Sequence, residues 1–308
     1  MEKLIKDFIK KCIAPVIKKI LKIYNWYFFN MWQKANNIKF LPIETEEGVC
    51  FPRAKIDLDK KSTLFREDSP HLYLNMDTII FPQVLVKQQW DYSTVKTFID
   101  SIVSNDVGLI DIGANVGLFS RQALIASPKI KHAYCFEPNK SNYQLLKKNL
   151  EPFGTVDTYN VGISDKDGTV EFFVDTTNSG NLSVNKDAML DYQYAVEKID
   201  LIHPNSINSP FPEIMQNHQT FVYKSDTQGL DESIFSSFDI NFWDKVECAL
   251  LEIYRLPGKQ VDYEKIEEIF NHCFTRIFSL NRKEFIGFDE FREYSKGEDE
   301  AYDDFILS

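Results

Sequence analysis

The chain has 308 residues, a formal charge of −11, and 44% hydrophobic and 14% aromatic residues. That length and apolar content suit one large α/β domain with an appendage, or two small domains, around a sizeable core. The negative charge excludes a general nucleic-acid binder, which needs a basic surface. Five scattered cysteines without a CxxC pair give neither a zinc site nor a disulfide framework, as expected of a protein in a reducing cytoplasm.

Residues 1–22 hold seven lysines against Glu2 and Asp7, with apolar pairs at 4–5, 8–9, 12–13, 16–17 and 20–21. The spacing predicts an amphipathic helix in a basic segment, 1–35, interrupted at Pro15. A four-residue repeat drifts by about 40° per step, so the apolar stripe winds. The lysines, with Tyr24, Trp26, Tyr27, Phe28, Phe29 and Trp32, suit peripheral contact with an anionic membrane through residues 1–32, on its inner face. The same stripe suits packing on its own domain or on a second subunit of a homo-oligomer. The apolar runs are too broken for a transmembrane span or a signal-peptide core.

Residues 36–92 read as an N-terminal extension with strand-like runs at Leu72–Leu74 and Ile79–Val86. Tyr92–Ser104 has helical spacing and leads into the main domain, 93–308. There the pattern alternates: strand 107–112, helix 117–127, strand 132–137, helix 139–150, strand 156–163. A period-2 strand follows at Gly168–Asp175, then an Asn-, Ser- and Pro-rich stretch, 176–219, read as an irregular insertion. Strand 220–225, helix 231–237, strand 249–254, helix 262–273 and strand 275–280 complete the series, with Phe305–Leu307 as a closing edge strand. The last 22 residues carry eight acids and two bases. This alternation predicts an α/β fold, a Rossmann-like doubly wound, mostly parallel sheet with helices on both faces.

The turn Asp111-Ile-Gly-Ala-Asn-Val-Gly117, with Glu137 ending the next strand, is a nucleoside-binding arrangement: helix N–H groups face the ligand and an acid holds a ribose. A dinucleotide site needs a glycine where Asn115 stands, so that the backbone can approach a pyrophosphate. Asp111 adds a negative charge that repels phosphate and suits the ammonium of S-adenosyl-L-methionine. Further on, Lys224 and Asp226 are two residues apart at a strand end and share a face. Glu252 ends the next strand at a comparable height. If the first and fourth core strands flank the point where strand order reverses, these groups surround an acceptor. A structural ion pair between two strand ends is the plainer reading of the same residues. His203 and His218 lie in the insertion as further base candidates or solvated loop histidines. Trp90 and Tyr92 either cover a ligand or pack. No ligand cluster demands a metal.

Together, Asp111–Gly117, Phe136-Glu-Pro138, Asn160-Val-Gly-Ile-Ser-Asp165 with Gly168, Lys224-Ser-Asp-Thr-Gln-Gly229 and Leu251-Glu-Ile253 resemble the FkbM-type methyltransferases, over about residues 80–307. The resemblance implies a class I methyltransferase fold, S-adenosyl-L-methionine as cofactor, and O-methylation of a sugar hydroxyl in a glycan, glycolipid or related conjugate. It implies that Asp111, Gly113, Asn115 and Gly117 meet the methionyl part, Glu137 the ribose, and Gly162, Ser164 and Asp165 the adenine side. Asp226, Lys224 and Glu252 would form the catalytic group. Where the family pattern commonly reads K-x-D-x-E-G-x-E, Gln228 and Asp231 stand in place of the two glutamates. A protein, lipid or small-molecule acceptor, or a non-catalytic nucleoside-binding module, are the other readings.

Overall fold

The computed structural model describes residues 38–41, 53–184, 194–299 and 301–308. The basic segment 1–35 with its membrane, subunit and own-domain alternatives, Cys12, Cys50 and residues 185–193 of the insertion lie outside the described residues. Among those described, no helix is long and apolar enough to cross a membrane.

The strands in chain order are β1 (Ile38–Leu41), β2 (Arg53–Asp57), β3 (His71–Asn75), β4 (Val107–Ile112), β5 (Ile130–Phe136), β6 (Val156–Tyr159), β7 (Gly162–Ile163) and β8 (Gly168–Asp175). They continue with β9 (Leu182–Ser183), β10 (Tyr194–Ile202), β11 (Phe221–Ser225), β12 (Val246–Tyr254), β13 (Ile277–Ser279), β14 (Glu284–Ile286) and β15 (Tyr302–Leu307). An eight-stranded sheet has the order β14-β13-β15-β12-β11-β4-β5-β6. β12, β11, β4, β5 and β6 run parallel, and β15 runs against them. This is the doubly wound α/β fold expected. The period-2 alternation of β4 explains its two cores: Val107 and Leu109 belong to one apolar cluster, Ile110 and Ile112 to the other. A strand covered on both faces is apolar throughout, and all six residues of β4 are buried.

Four elements depart from the sequence expectation. Ile79–Val86 reads as strand, but residues Ile80–Lys87 form a helix that buries Ile80, Phe81 and Val84. Pro82 offers no N–H to a ladder, and Asp77 Oδ1 accepts from the amides of Ile79 and Phe81, both at 3.0 Å. The segment 156–163 divides at Asn160, whose Nδ2 donates to the carbonyls of Glu137 (2.9 Å) and Pro138 (3.0 Å). β7 then joins a second, four-stranded sheet, β7-β10-β8-β9. The insertion is therefore partly regular: β10 pairs along all of β8, and a helix covers Phe211–Asn217. Finally, β15 lies inside the large sheet between β12 and β13, whereas an edge position was expected.

The extension contributes a three-stranded sheet, β1-β2-β3. Its Ile56, Leu72 and Leu74 pack with Val116, Leu118 and Leu145 of the main domain. Arg121 fastens the two parts. Its guanidinium is fully buried and donates to the carbonyls of Leu64 (2.7 Å), Asn149 (2.7 Å) and Ser69 (2.5 Å). Burial depresses its pKa to about 10. Arg121→Ala should leave three buried carbonyls unpaired and lower stability by about 3–5 kcal/mol, checked by urea unfolding. A loss below about 1 kcal/mol would mean that water replaces the guanidinium.

Candidate active site

β4 and β11 are neighbours, with Asp111 paired to Lys224 and Ile112 to Ser225. The chain leaves β4 for a helix starting at Leu118 and leaves β11 for one starting at Asp231. Ligands of open α/β sheets bind beyond such strand ends, where the order reverses. A cleft of about 630 Å³, including its open mouth, lies there. Gly113, Asn115, Glu137, Gly162, Asp226 and Gln228 are among its walls.

The glycine turn is shaped by close approach. Gly113 has φ +73°, and a Cβ there would fall 1.9 Å from the carbonyl oxygen of Asp226. Its amide and that of Ala114 both donate to the Phe136 carbonyl (3.0 and 2.9 Å). The Asn115 amide donates to Glu137 Oε2 at 2.8 Å, and Asn115 takes φ +50°, a region Asn tolerates. Three successive N–H groups are thus used within the protein and are not available to a diphosphate.

Glu137 is buried at the end of β5, and its Oε1 accepts from the Asn139 amide at 2.8 Å. Burial pushes its carboxyl up to about 7, opposed by the Asn139 and Asn115 amides. In the same cleft, Phe172, Leu182, Ile199 and Leu201 join Gly162 and Ile163 as apolar lining. A Cβ on Gly162 would meet the Leu201 Cδ2 methyl at 2.6 Å, so the Leu201 side chain would have to shift to admit one.

Five predicted site residues are placed differently from expectation. Asp111 is fully buried behind the cleft: Oδ1 pairs with Lys224 Nζ at 3.0 Å and Oδ2 accepts from Ser120 Oγ at 2.6 Å. Gly117 faces helix 140–150, where a Cβ would come 2.9 Å from Leu146, so its role is close helix packing. Lys224 also lies inside, donating to the carbonyls of Gly113 (2.9 Å) and Ile112 (3.3 Å). It ties the two strand ends together, as in the plainer ion-pair reading. Burial lowers its proton affinity, but Asp111 and Asp226 outweigh this and hold the ammonium above its usual value. Ser164 and Asp165 are not among the residues lining the cleft; Ser164 Oγ donates to Asp165 at 3.0 Å.

Asp226 faces the cleft with 40% of its side chain exposed, 3.7 Å from Lys224. Gln228 Nε2 donates both to Asp226 Oδ1 (2.9 Å) and to Glu252 Oε2 (2.7 Å), so Gln228 joins the two acids. Burial works against ionising Asp226, but Lys224 draws its carboxyl below the usual range. Burial and the charge of Asp226 push Glu252 well above that range. Of the pair, Asp226 is thus the carboxyl held towards its ionised form and Glu252 the one held towards its protonated form. Asp231 accepts from Ser225 Oγ and from the Thr227 amide (3.0 Å), fixing this turn.

The other candidates fall elsewhere. His203 Nδ1 accepts from the Asn205 amide at 3.1 Å. His218 stands before β11, at the opposite end of the sheet, 3.3 Å from Asp106. Trp90 and Tyr92 pack against apolar clusters. The apolar wall was missed because Asn, Ser and Pro dominate 176–219, although Ile199 and Leu201 alternate with Lys198 and Asp200 as a half-buried strand should.

No family profile matches the chain. Over 97 residues it is 28% identical to the 2-O-methyltransferase NoeI of Sinorhizobium fredii (strain NBRC 101917 / NGR234), covering 29% of this chain and 40% of that protein. The match therefore spans about two fifths of that relative. Among solved structures, the chain is similar to methyltransferase FkbM from Methylobacillus flagellatus KT, with TM-score 0.32 and 17% identity, over 50% of this chain and 34% of that one. It is also similar to M. capricolum TrmK in complex with S-adenosyl-homocysteine, with TM-score 0.37 and 12% identity, over 70% and 67% of the two chains.

Proposed function

We propose that this protein is an S-adenosyl-L-methionine-dependent O-methyltransferase whose acceptor is a sugar hydroxyl of a glycan, glycolipid or related conjugate. The observation that carries this reading is the pairing of Glu137 and Asp226 on one cleft whose glycine turn has no N–H left for a diphosphate at 113–115. Both carboxylates repel phosphate, and both suit a cationic nucleoside. The groups present fit such a ligand: Glu137 retains lone pairs to accept from ribose hydroxyls, Asn115 Oδ1 is a buried acceptor without a partner, and the apolar wall beside Gly162 suits a planar base.

When bound, the cofactor supplies a methyl group on a sulfonium, open to in-line displacement. The protein must align the attacking oxygen and receive its proton. Asp226, ionised by Lys224 and oriented by Gln228, accepts a hydrogen bond from the acceptor hydroxyl and takes the proton as negative charge builds on that oxygen. Lys224 acts from behind, fixing the Gly113 turn and the position of Asp226. Residues 1–32 of the basic segment would hold the enzyme against an anionic membrane face carrying such acceptors.

Calorimetry with S-adenosylhomocysteine tests the cofactor. Binding by the ionised Glu137 should strengthen about tenfold between pH 6 and pH 8, as a carboxyl near 7 becomes fully ionised. Folding stability should move oppositely. The folded pKa of Glu137 lies above the unfolded value, so this group favours the folded state increasingly as pH falls from about 7 towards 4.5. Asp231, raised to about 7, and Asp304, raised to about 8, act in the same direction. Glu137→Gln should weaken binding and flatten its pH dependence. A folded protein that binds no S-adenosylhomocysteine at pH 8 would favour the non-catalytic reading. Binding without label transfer to any glycan pool would favour another acceptor.

A further inference from the structure

At the carboxyl end of β12, two residues beyond Glu252, two tyrosines form a step that the reaction as derived does not use. Tyr254 and Tyr302 are register partners on β12 and β15. Their rings stack with centroids 5.1 Å apart at 21°, and Tyr302 remains 51% exposed. Two residues along the same pairing, Glu252 faces Asp304, and Gln228 links Glu252 to Asp226. Burial and then the carboxylates of Glu252, Asp304, Asp91 and Asp226 raise the Tyr302 phenol. The neighbouring cations are engaged: Lys224 is turned to Asp111, and Arg255 pairs with Asp299 at 2.9 Å.

We infer that the stacked Tyr254–Tyr302 pair is the acceptor platform, and that it takes a neutral or amino-bearing pyranose while rejecting an anionic one. This rests on the methyltransferase reading above. A tyrosine face carries negative charge density that attracts the weakly positive C–H face of a sugar ring. Carboxylates beside it accept hydrogen bonds from ring hydroxyls or an ammonium. A uronic acid or sugar phosphate set among Asp226, Asp304 and Asp91 meets like charge that Lys224 and Arg255, engaged as above, do not offset. The tyrosines thus hold one face of the ring, and the acids set its charge and turn a hydroxyl towards Asp226.

The test is saturation-transfer NMR on the full-length protein loaded with S-adenosylhomocysteine, using the methyl glycosides of glucose, glucosamine and glucuronic acid as probes. Signal is expected from the first two and not from the glucuronide. Tyr302→Ala should weaken it about tenfold, and Tyr302→Phe, which keeps the ring, should retain it. S-adenosylhomocysteine affinity should change by less than about twofold in both variants, which also reports that they fold. Equal signal from the glucuronide, undiminished signal in Tyr302→Ala, or no signal from any glycoside overturns the platform. Failure of S-adenosylhomocysteine itself to bind overturns the methyltransferase reading instead, and the same glycoside measurements on the free protein then decide the platform alone.

Discussion

Asp226→Asn should lower the methyl-transfer rate about 10²-fold while leaving S-adenosylhomocysteine affinity within about twofold. The size follows from its surroundings. General bases typically contribute 10²–10⁴-fold, most when their pKa lies near the working pH. Lys224 at 3.7 Å and the Gln228 amide at 2.9 Å hold Asp226 ionised and so make it a weaker base, which places its contribution at the lower end. An amide at 226 keeps the volume and the Gln228 contact but cannot take the hydroxyl proton. Glu252→Gln is the comparison. Burial and the charge of Asp226 favour the protonated form of Glu252, so the substitution should cost less than about tenfold. A larger loss at Glu252 than at Asp226 would exchange their roles.

Much of the central sheet was legible because its strands are covered on both faces and written in apolar runs broken by turns. Val107–Ile112 and the helix Asp231–Ser237 fall where the pattern puts them. The elements that were not legible depend on partners distant in sequence. Ile80–Lys87 has the β-branched composition of a strand, and Pro82 with the Asp77 cap decides for helix. β10 lies in a stretch dominated by loop residues, and its pairing with β8 fixes it.

The site was legible by position more than by role. The sequence brought Asp111, Glu137, Lys224, Asp226 and Glu252 to one end of one sheet. It did not say which way each side chain turns. At paired positions on adjacent parallel strands, Asp111 and Lys224 neutralise each other inside the protein. Asp226, just beyond the strand end, faces the cleft. Gln228 looked like a lost charge in the motif. Placed between Asp226 and Glu252, its amide donates to both, whereas a third carboxylate there would repel them.

Gly113→Ala should be the most damaging single substitution in the turn. Left-handed φ costs a non-glycine residue about 1–2 kcal/mol. The greater cost is steric, because the new Cβ would lie 1.9 Å from the Asp226 carbonyl oxygen, which is backbone and cannot rotate away. Relief requires β4 and β11 to part where Lys224 and the Asp226 amide (3.1 Å to the Ile112 carbonyl) hold them together. We expect a loss of about 3–5 kcal/mol in stability and, from a shift of Asp226 of about 1 Å, a fall of about 10²-fold in methyl transfer in the fraction that folds. Gly154→Ala isolates the conformational part. Gly154 has nearly the same φ, +68°, with nothing within 4 Å of its Cβ position, so only the conformational cost of about 1–2 kcal/mol applies. Equal losses in urea unfolding of the two variants would show that the close approach of Gly113 to Asp226 is not what the turn depends on.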